Sequence, residues 1–249
     1  MRLQGKVAIV TGAGGGIGAS ICRRFAAEGA ALIGVDLAAA ALASMASLVR
    51  ASGGRVQTLV ADVAEEASAE AAVACARDEF GGLDVLVSNA VCDLPLAPLT
   101  RLTLADWRRT MAVNLDGAFL FCKHAIPAME ARGGGSIILI ASQLGRVARA
   151  GRPWYCAAKG ALIQLAKAMA LDHAGQNIRV NSLSPGPVET ARYLRNFDTL
   201  DAARASHHTL VGRLGRPEEI AAGAVYLAGE ESTFVTGADL LIDGGYTAV

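Results

Sequence analysis

Short runs of aliphatic and β-branched residues alternate along the chain with longer alanine-rich stretches whose apolar positions return at helical spacing. The short runs predict strands at 7–11, 31–36, 55–61, 83–88, 136–141, 179–184 and 239–242. The longer stretches predict helices near 17–28, 38–52, 65–80, 104–131, 154–173 and 217–229. Strand and helix in regular succession is the pattern of parallel βαβ units, so the expected class is α/β, a doubly wound sheet. Its strands are apolar almost throughout rather than alternating, as a sheet covered on both faces requires. From Pro185 to about Arg216 the periodicity lapses. Pro185, Gly186 and Pro187 are followed there by Tyr193, Phe197, His207 and His208. A segment of this length outside the alternation predicts a lid over a binding site, at 187–216.

No linker, internal repeat or low-complexity tract divides the 249 residues, and a single domain is expected. Lys and Arg number 23, as do Asp and Glu, so the net charge is zero. Without a basic excess or a block of like charge, no nucleic-acid partner is expected. Hydrophobic residues reach 53%, which raises the question of a membrane span. The best candidate, 30–49, carries Asp36 in its interior, and an Asp at mid-bilayer costs roughly 2.5–3.5 kcal/mol to insert. A strand-to-helix break explains that stretch better, so no membrane partner is expected. Met1 to Lys6 also lacks the pattern of a secretion signal. The five cysteines, Cys22, Cys75, Cys92, Cys122 and Cys156, are odd in number and form no CxxC pair, which argues against a disulfide framework or a zinc site. They read as small buried hydrophobes in a reducing cytoplasm. His207 and His208 are adjacent, which is not a helical ligand spacing, and no metal is expected.

Candidate chemistry starts directly after the first strand, with Thr11-Gly12-Ala13-Gly14-Gly15-Gly16-Ile17-Gly18 and then a helical pattern. Five glycines in seven positions exceed what a tight turn needs. Strand, glycines and helix stand in the order of a dinucleotide site, where backbone N–H groups approach a pyrophosphate at the helix N-terminus. Asp36 ends the second strand, eighteen residues after Gly18, and Leu37 follows it. A carboxylate there accepts the ribose hydroxyls of NAD and repels the extra phosphate of NADP. No Lys or Arg stands in the glycine loop, so NAD is favoured over NADP. Asp62, followed by Val63 at the end of the third strand, is positioned to accept a hydrogen bond from the adenine amine or to cap a helix.

Tyr155 and Lys159 are four apart on a predicted helix and share one face. A phenol is a poor base at neutral pH, and a neighbouring ammonium favours the phenolate, which makes Tyr155 a candidate acid/base. Ser142 ends a predicted strand, where open α/β sheets hold their ligands, and its hydroxyl can polarise a carbonyl.

Together, the glycine string, Asp36, Ser142, the Tyr155/Lys159 pair and Pro185-Gly186 resemble the short-chain dehydrogenase/reductase family, in particular its glucose/ribitol-dehydrogenase-like NAD-dependent members. The resemblance runs from Lys6 to Gly245. It implies one Rossmann-like domain with a seven-stranded parallel sheet, in which 1–90 mainly bind the cofactor and 91–249 mainly carry catalysis and substrate. It also implies a catalytic tetrad. Tyr155 would be the acid/base, and Lys159 would lower its pKa and bind the nicotinamide ribose. Ser142 would orient the substrate oxygen, and Asn114 would anchor a water linking Lys159 to solvent. Pro185, Gly186 and Val188 would border the nicotinamide, Thr190 would reach its carboxamide or the phosphates, and Asn89-Ala90 would lie beside the adenine ribose. Val91 departs from the glycine common in the family, and a left-handed backbone there would be costly.

The implied reaction interconverts a secondary alcohol and a ketone. Val91, Cys92, Asp93, Leu94, Gln143, Leu144, Arg149, Trp154 and Tyr193 are candidate pocket residues, a mixture that suits a ring or bulky skeleton. Arg146, Arg149 and Arg152 follow Ser142 closely, as partners for an acidic substrate or as solvated loop residues. One rival is a 3-oxoacyl-carrier-protein reductase, which usually prefers NADPH and often has Arg where Gly15 stands. The other is a non-catalytic NAD-binding protein, which has no need of the tetrad. The resemblance implies a homotetramer or homodimer, with the run from Asp243 to Tyr246 near a subunit contact or the pocket.

Overall fold

A computed structural model describes residues 1–206 and 208–248. His207 lies outside them. Seven parallel strands form one sheet: β1 (Val7–Thr11), β2 (Ala31–Asp36), β3 (Arg55–Val60), β4 (Val85–Ser88), β5 (Gly135–Ile140), β6 (Ile178–Pro185) and β7 (Asp239–Ile242), in the order β3-β2-β1-β4-β5-β6-β7. The helices are α1 (Gly16–Ala27), α2 (Ala39–Ala51), α3 (Glu66–Phe80), α4 (Leu104–Met111), α5 (Gly117–Glu130), α6 (Pro153–His173), α7 (Ala191–Leu194), α8 (Leu200–Ala205) and α9 (Pro217–Ala228).

Alternation along each strand divides the apolar interior into two layers. In β1, Ala8 and Val10 face one layer with Ile21, Phe25, Leu42 and Val225. Val7 and Ile9 face the other with Phe121, Met129 and Leu162. In β5, Ile138 and Ile140 join the first layer and Ile137 and Leu139 the second. The strands are apolar throughout because each contributes to both layers. The chain reverses its winding direction between β1 and β4, whose register pairs Val10 with Val87. Beyond the carboxyl ends of these two strands lies the crevice where doubly wound sheets bind ligands.

Two differences from the sequence expectation bear on that crevice. The helix expected at 104–131 is interrupted by a π-helical turn, Ala112–Asp116. Within it, Asn114 is buried. Its Oδ1 accepts the Cys92 N–H at 2.7 Å and its Nδ2 donates to the Cys92 carbonyl at 3.1 Å. An asparagine unfavourable in a regular helix is here a tether to the loop after β4, and π turns often mark such sites. Second, the segment 187–216 contains α7 and α8, and its Glu189 pairs with Arg204.

The turn after β1 depends on close approach. Gly12 has φ of 65°, a conformation glycine adopts at no steric cost. A β-carbon on Gly18 would stand 2.1 Å from the Gly12 carbonyl oxygen and 2.7 Å from Asn89 Nδ2. Gly18→Ala should therefore lower the unfolding midpoint by roughly 2–10 °C, from the cost of overpacking a chain of this size. It should weaken dinucleotide binding in parallel. Thermal melts with and without nucleotide check both.

Candidate active site

The ends of β1 and β4 are tied together by two side chains. Thr11 Oγ1 accepts the backbone N–H groups of Asn89 and Ala90, at 2.9 and 3.1 Å. Asn89 Nδ2 returns the contact to the carbonyls of Thr11 and Gly12, at 3.0 and 3.1 Å. A cleft of about 550 Å³ opens beside this tie, within the usual range for a ligand site.

Most of the expected cofactor residues line that cleft: Gly12, Gly15, Gly16, Ile17, Asp36, Leu37, Asp62, Val63, Asn89, Ala90, Tyr155, Lys159, Pro185, Gly186, Val188 and Thr190. Gly14 and Gly18 do not line it and serve the turn instead. Gly14 donates its N–H to Asp36 Oδ2 at 2.9 Å, while Ala38 donates to Oδ1 at 2.9 Å. Each Asp36 oxygen keeps a lone pair for a further donor. Asp62 accepts the Ala64 N–H at 3.0 Å and pairs with Arg109 at 3.1 Å. It does not cap α3, whose N-cap is Glu65. Thr190 caps α7 through the Tyr193 N–H.

Ser142, Tyr155 and Lys159 meet at the inner end of the cleft. Ser142 follows β5 in an extended conformation and accepts the Leu144 N–H at 3.1 Å. Lys159 is 3% exposed, and its Nζ donates to the Ile140 carbonyl at 2.6 Å. Nζ stands 5.7 Å from the centre of the Tyr155 ring. Arg192, on α7, had no signal in the periodicity, yet its guanidinium lies 5.7 Å from the same ring centre. Burial pushes the Tyr155 phenol up, but the charges of Arg192 and Lys159 and hydrogen bonds to Arg192 and Ser142 outweigh it, holding the phenol below the usual tyrosine value. Burial pulls the Lys159 ammonium down; Tyr155 opposes that shift and Arg192 adds to it.

A smaller pocket of about 80 Å³ continues past Ser142 and Tyr155. Of the expected pocket residues, Asp93, Gln143, Leu144, Arg149 and Tyr193 line it, while Val91 lines the larger cleft. Cys92, Leu94 and Trp154 line neither. Trp154 is fully buried against Leu144 and Tyr155, so it is core rather than a ligand contact. With these three removed from the wall, the apolar character expected of the pocket is much reduced. Val91 costs no backbone strain, since Asn177 is the one non-glycine with positive φ among the described residues.

The arginines separate by role. Arg146 is bound to Asp239, with Nε to Oδ2 at 2.6 Å, outside both cavities. Arg152, nearly buried, and Arg192 both pair with Asp93, at 3.1 and 3.4 Å. His208 and Tyr246 also line the pocket. Elsewhere, Glu66, Glu70 and His124 stand close enough to share an ion, but Lys123 already pairs with Glu66 at 2.6 Å.

A doubly wound sheet with a glycine-rich cradle at its switch point and a buried Tyr–Lys pair beside it defines a nucleotide-dependent oxidoreductase. A family model described as enoyl-(acyl carrier protein) reductase matches residues 12–247. The chain is 40% identical over 246 residues to the D-threitol dehydrogenase of Mycolicibacterium smegmatis, covering 99% of this chain and 94% of that protein. It is 41% identical to the cis-4-hydroxycyclohexanecarboxylate dehydrogenase of Sinomonas cyclohexanicum, covering 98% and 97%. A crystal structure of a putative short-chain dehydrogenase/reductase from Burkholderia xenovorans superposes with a TM-score of 0.92 at 39% identity, covering 100% and 98%. The chain belongs to the short-chain dehydrogenase/reductase family, whose members use NAD(P), and is an alcohol dehydrogenase or ketoreductase of that family.

Arg192 provides a test of the site's electrostatics. Removing its charge leaves the effect of burial on Tyr155 less opposed, so the phenol should deprotonate at higher pH. In Arg192→Gln the rising limb of kcat/KM for alcohol oxidation should move to more alkaline pH, with a smaller displacement in Arg192→Lys. An unmoved limb would show that the guanidinium does not act on Tyr155.

Proposed function

We propose that this protein is an NAD-dependent dehydrogenase that interconverts a secondary alcohol and a ketone, with Tyr155 as acid/base. The observation that carries the reading is the Tyr155 phenol, buried at the inner end of the cleft and held below its usual pKa by Arg192 and Lys159. In oxidation Tyr155 takes the alcohol proton, and Ser142 orients the same oxygen. Lys159, with Nζ 5.7 Å from the ring centre, stabilises the phenolate that accepts this proton. Asn114 keeps a second lone pair on Oδ1 after bonding Cys92, which leaves it able to anchor a water on the proton's route outward.

The residues present fit NAD, which when bound supplies the hydride acceptor. Gly12, Gly15, Gly16 and Ile17 would receive the pyrophosphate, and the spare lone pairs of Asp36 the adenosine ribose hydroxyls. Asp62 would meet the adenine side and Asn89-Ala90 the ribose. Pro185, Gly186, Val188 and Thr190 would border the nicotinamide, with Lys159 at its ribose. The Asp36 charge and the absence of a cation at Gly15 support NAD over NADP. They weigh against the 3-oxoacyl reductase alternative.

The substrate is a compact alcohol, a single ring or short chain, because the pocket past Ser142 is small. Such skeletons occur in the names of the D-threitol and hydroxycyclohexanecarboxylate relatives. A homotetramer or homodimer is supported by exposed apolar side chains, Phe119, Leu171 and Phe234. A reducing cytoplasm is supported by the five free cysteines. No helix among the described residues is long and apolar enough to cross a membrane.

The primary experiment offers secondary alcohols and 3-hydroxyacyl thioesters with NAD or NADP and follows absorbance of the reduced nicotinamide. NAD-linked turnover of compact alcohols is expected; turnover confined to thioesters with NADP would establish the reductase instead. Tyr155→Phe should lower kcat by about 10²–10⁴-fold, the scale of lost acid/base catalysis, with an unchanged unfolding midpoint. A β-carbon on Gly15 meets only the Gly12 carbonyl oxygen, at 3.9 Å, so an arginine fits there. Gly15→Arg combined with Asp36→Ser should shift the ratio of kcat/KM values towards NADP, and an unchanged ratio would refute the ribose assignment.

A further inference from the structure

Cations outnumber acids in the pocket beyond Ser142 and Tyr155. Arg149, Arg152 and Arg192 line it, and Asp93 is its one carboxylate among the described residues. Asp93 is shared between Arg152 and Arg192, at 3.1 and 3.4 Å. Ionising Tyr155 does not restore the balance, because the Lys159 ammonium beside the ring offsets the phenolate. Charges of one sign around a small cavity focus a field into it, and an anion that enters relieves their repulsion.

The guanidinium groups differ in how far they are committed. Arg152 is nearly buried and held by Asp93. Arg192 is partly exposed and shared between Asp93 and the Tyr155 phenol. Arg146, outside the pocket, is bound to Asp239. Arg149 is exposed and has no acidic partner among the described residues. The backbone that carries it is nonetheless fixed. Its carbonyl accepts the Arg152 N–H at 3.2 Å, and the Gly151 carbonyl of the same turn accepts the Ala97 N–H at 3.0 Å. An accessible cation is thus held at the pocket without a counter-charge.

We propose that the pocket takes a carboxylate of the substrate, with Arg149 as its principal partner, which makes the enzyme selective for hydroxy acids over neutral alcohols of the same shape. This rests on the alcohol dehydrogenase reading above. A planar carboxylate accepts two parallel N–H groups from one guanidinium, a fit that a neutral amide or hydroxyl does not offer. Ser142 and Tyr155 line the same pocket, whose volume of about 80 Å³ admits a few non-hydrogen atoms rather than a long chain. The carboxylate therefore stands within a few bonds of the carbinol carbon.

The test compares kcat/KM with NAD for 3-hydroxybutanoate against 3-hydroxybutanamide, and for 3-hydroxycyclohexanecarboxylate against its amide. Each pair keeps its shape and differs in charge. It uses the wild type, Arg149→Gln and Arg149→Lys. At low ionic strength each acid should exceed its amide by about tenfold, the lower end of what a hydrogen bond to a charged group gives, because Arg149 is open to solvent. Added salt should shrink that ratio. Arg149→Gln should bring it towards one, and Arg149→Lys, which keeps the charge, should retain part of it. A wild-type ratio near or below one overturns the assignment, while turnover of the neutral amides or of other neutral alcohols leaves the dehydrogenase reading intact. An Arg149→Gln protein that retains the ratio also overturns it. So does one that loses affinity for NAD, measured by fluorescence quenching, by the same factor as it loses activity on the acids. Failure of every alcohol, charged or neutral, with either nucleotide overturns the underlying reading itself.

Discussion

The side-chain tie between the ends of β1 and β4 is the constraint on which the rest of the site depends. Where winding reverses, no helix crosses the mouth of the sheet, and the loops on either side would separate without a lateral connection. Thr11 and Asn89 supply it with four hydrogen bonds. Asn89 also touches the carbonyl of Gly12, so the glycine turn takes its position from β4 as well as from β1. The Cys92 backbone, three residues further on, is held by Asn114 in the π turn. One continuous set of contacts therefore runs from the nucleotide cradle through the loop after β4 to the wall behind Lys159.

Around Tyr155 the protein gathers positive charge in a buried place. Lys159, Arg152 and Arg192 all lie within 6 Å of the ring centre, and Asp93 is the carboxylate that balances the two guanidinium groups. Burial alone would keep the phenol protonated, and burial alone would discharge the lysine. Each offsets the other's desolvation, so the pair depends on being formed together. The short bond from Lys159 to the Ile140 carbonyl fixes the ammonium at the end of β5, next to Ser142.

Most strands were legible because an apolar run covered on both faces has no competing interpretation; boundaries differ from expectation by a residue or two. The interruption at Ala112–Asp116 was not, because a single five-residue turn is too short for its change of period to register among the apolar positions around it. Asn114 was its only signal. The tetrad and the glycine cradle were legible as residue types at particular element ends. The pocket wall was less so, because neighbours in sequence diverge in direction on a helix: Trp154 points into the core while Tyr155 reaches the cleft. Val91 was expected to strain the backbone, and the structure relieves that by avoiding the left-handed conformation. Arg192 was missed because its segment carries no period from which a side chain's direction can be inferred.

Arg192 stands on a short helix in the segment that follows β6, and it reaches both Tyr155 and Asp93. The position of that segment and the proton on Tyr155 are consequently linked variables. A conformation that brings the guanidinium to the phenol favours loss of the proton, and by thermodynamic reciprocity loss of the proton favours that conformation. A rise in pH that ionises Tyr155 therefore also strengthens the electrostatic hold on Arg192. When Tyr155 regains its proton, the electrostatic hold on Arg192 weakens.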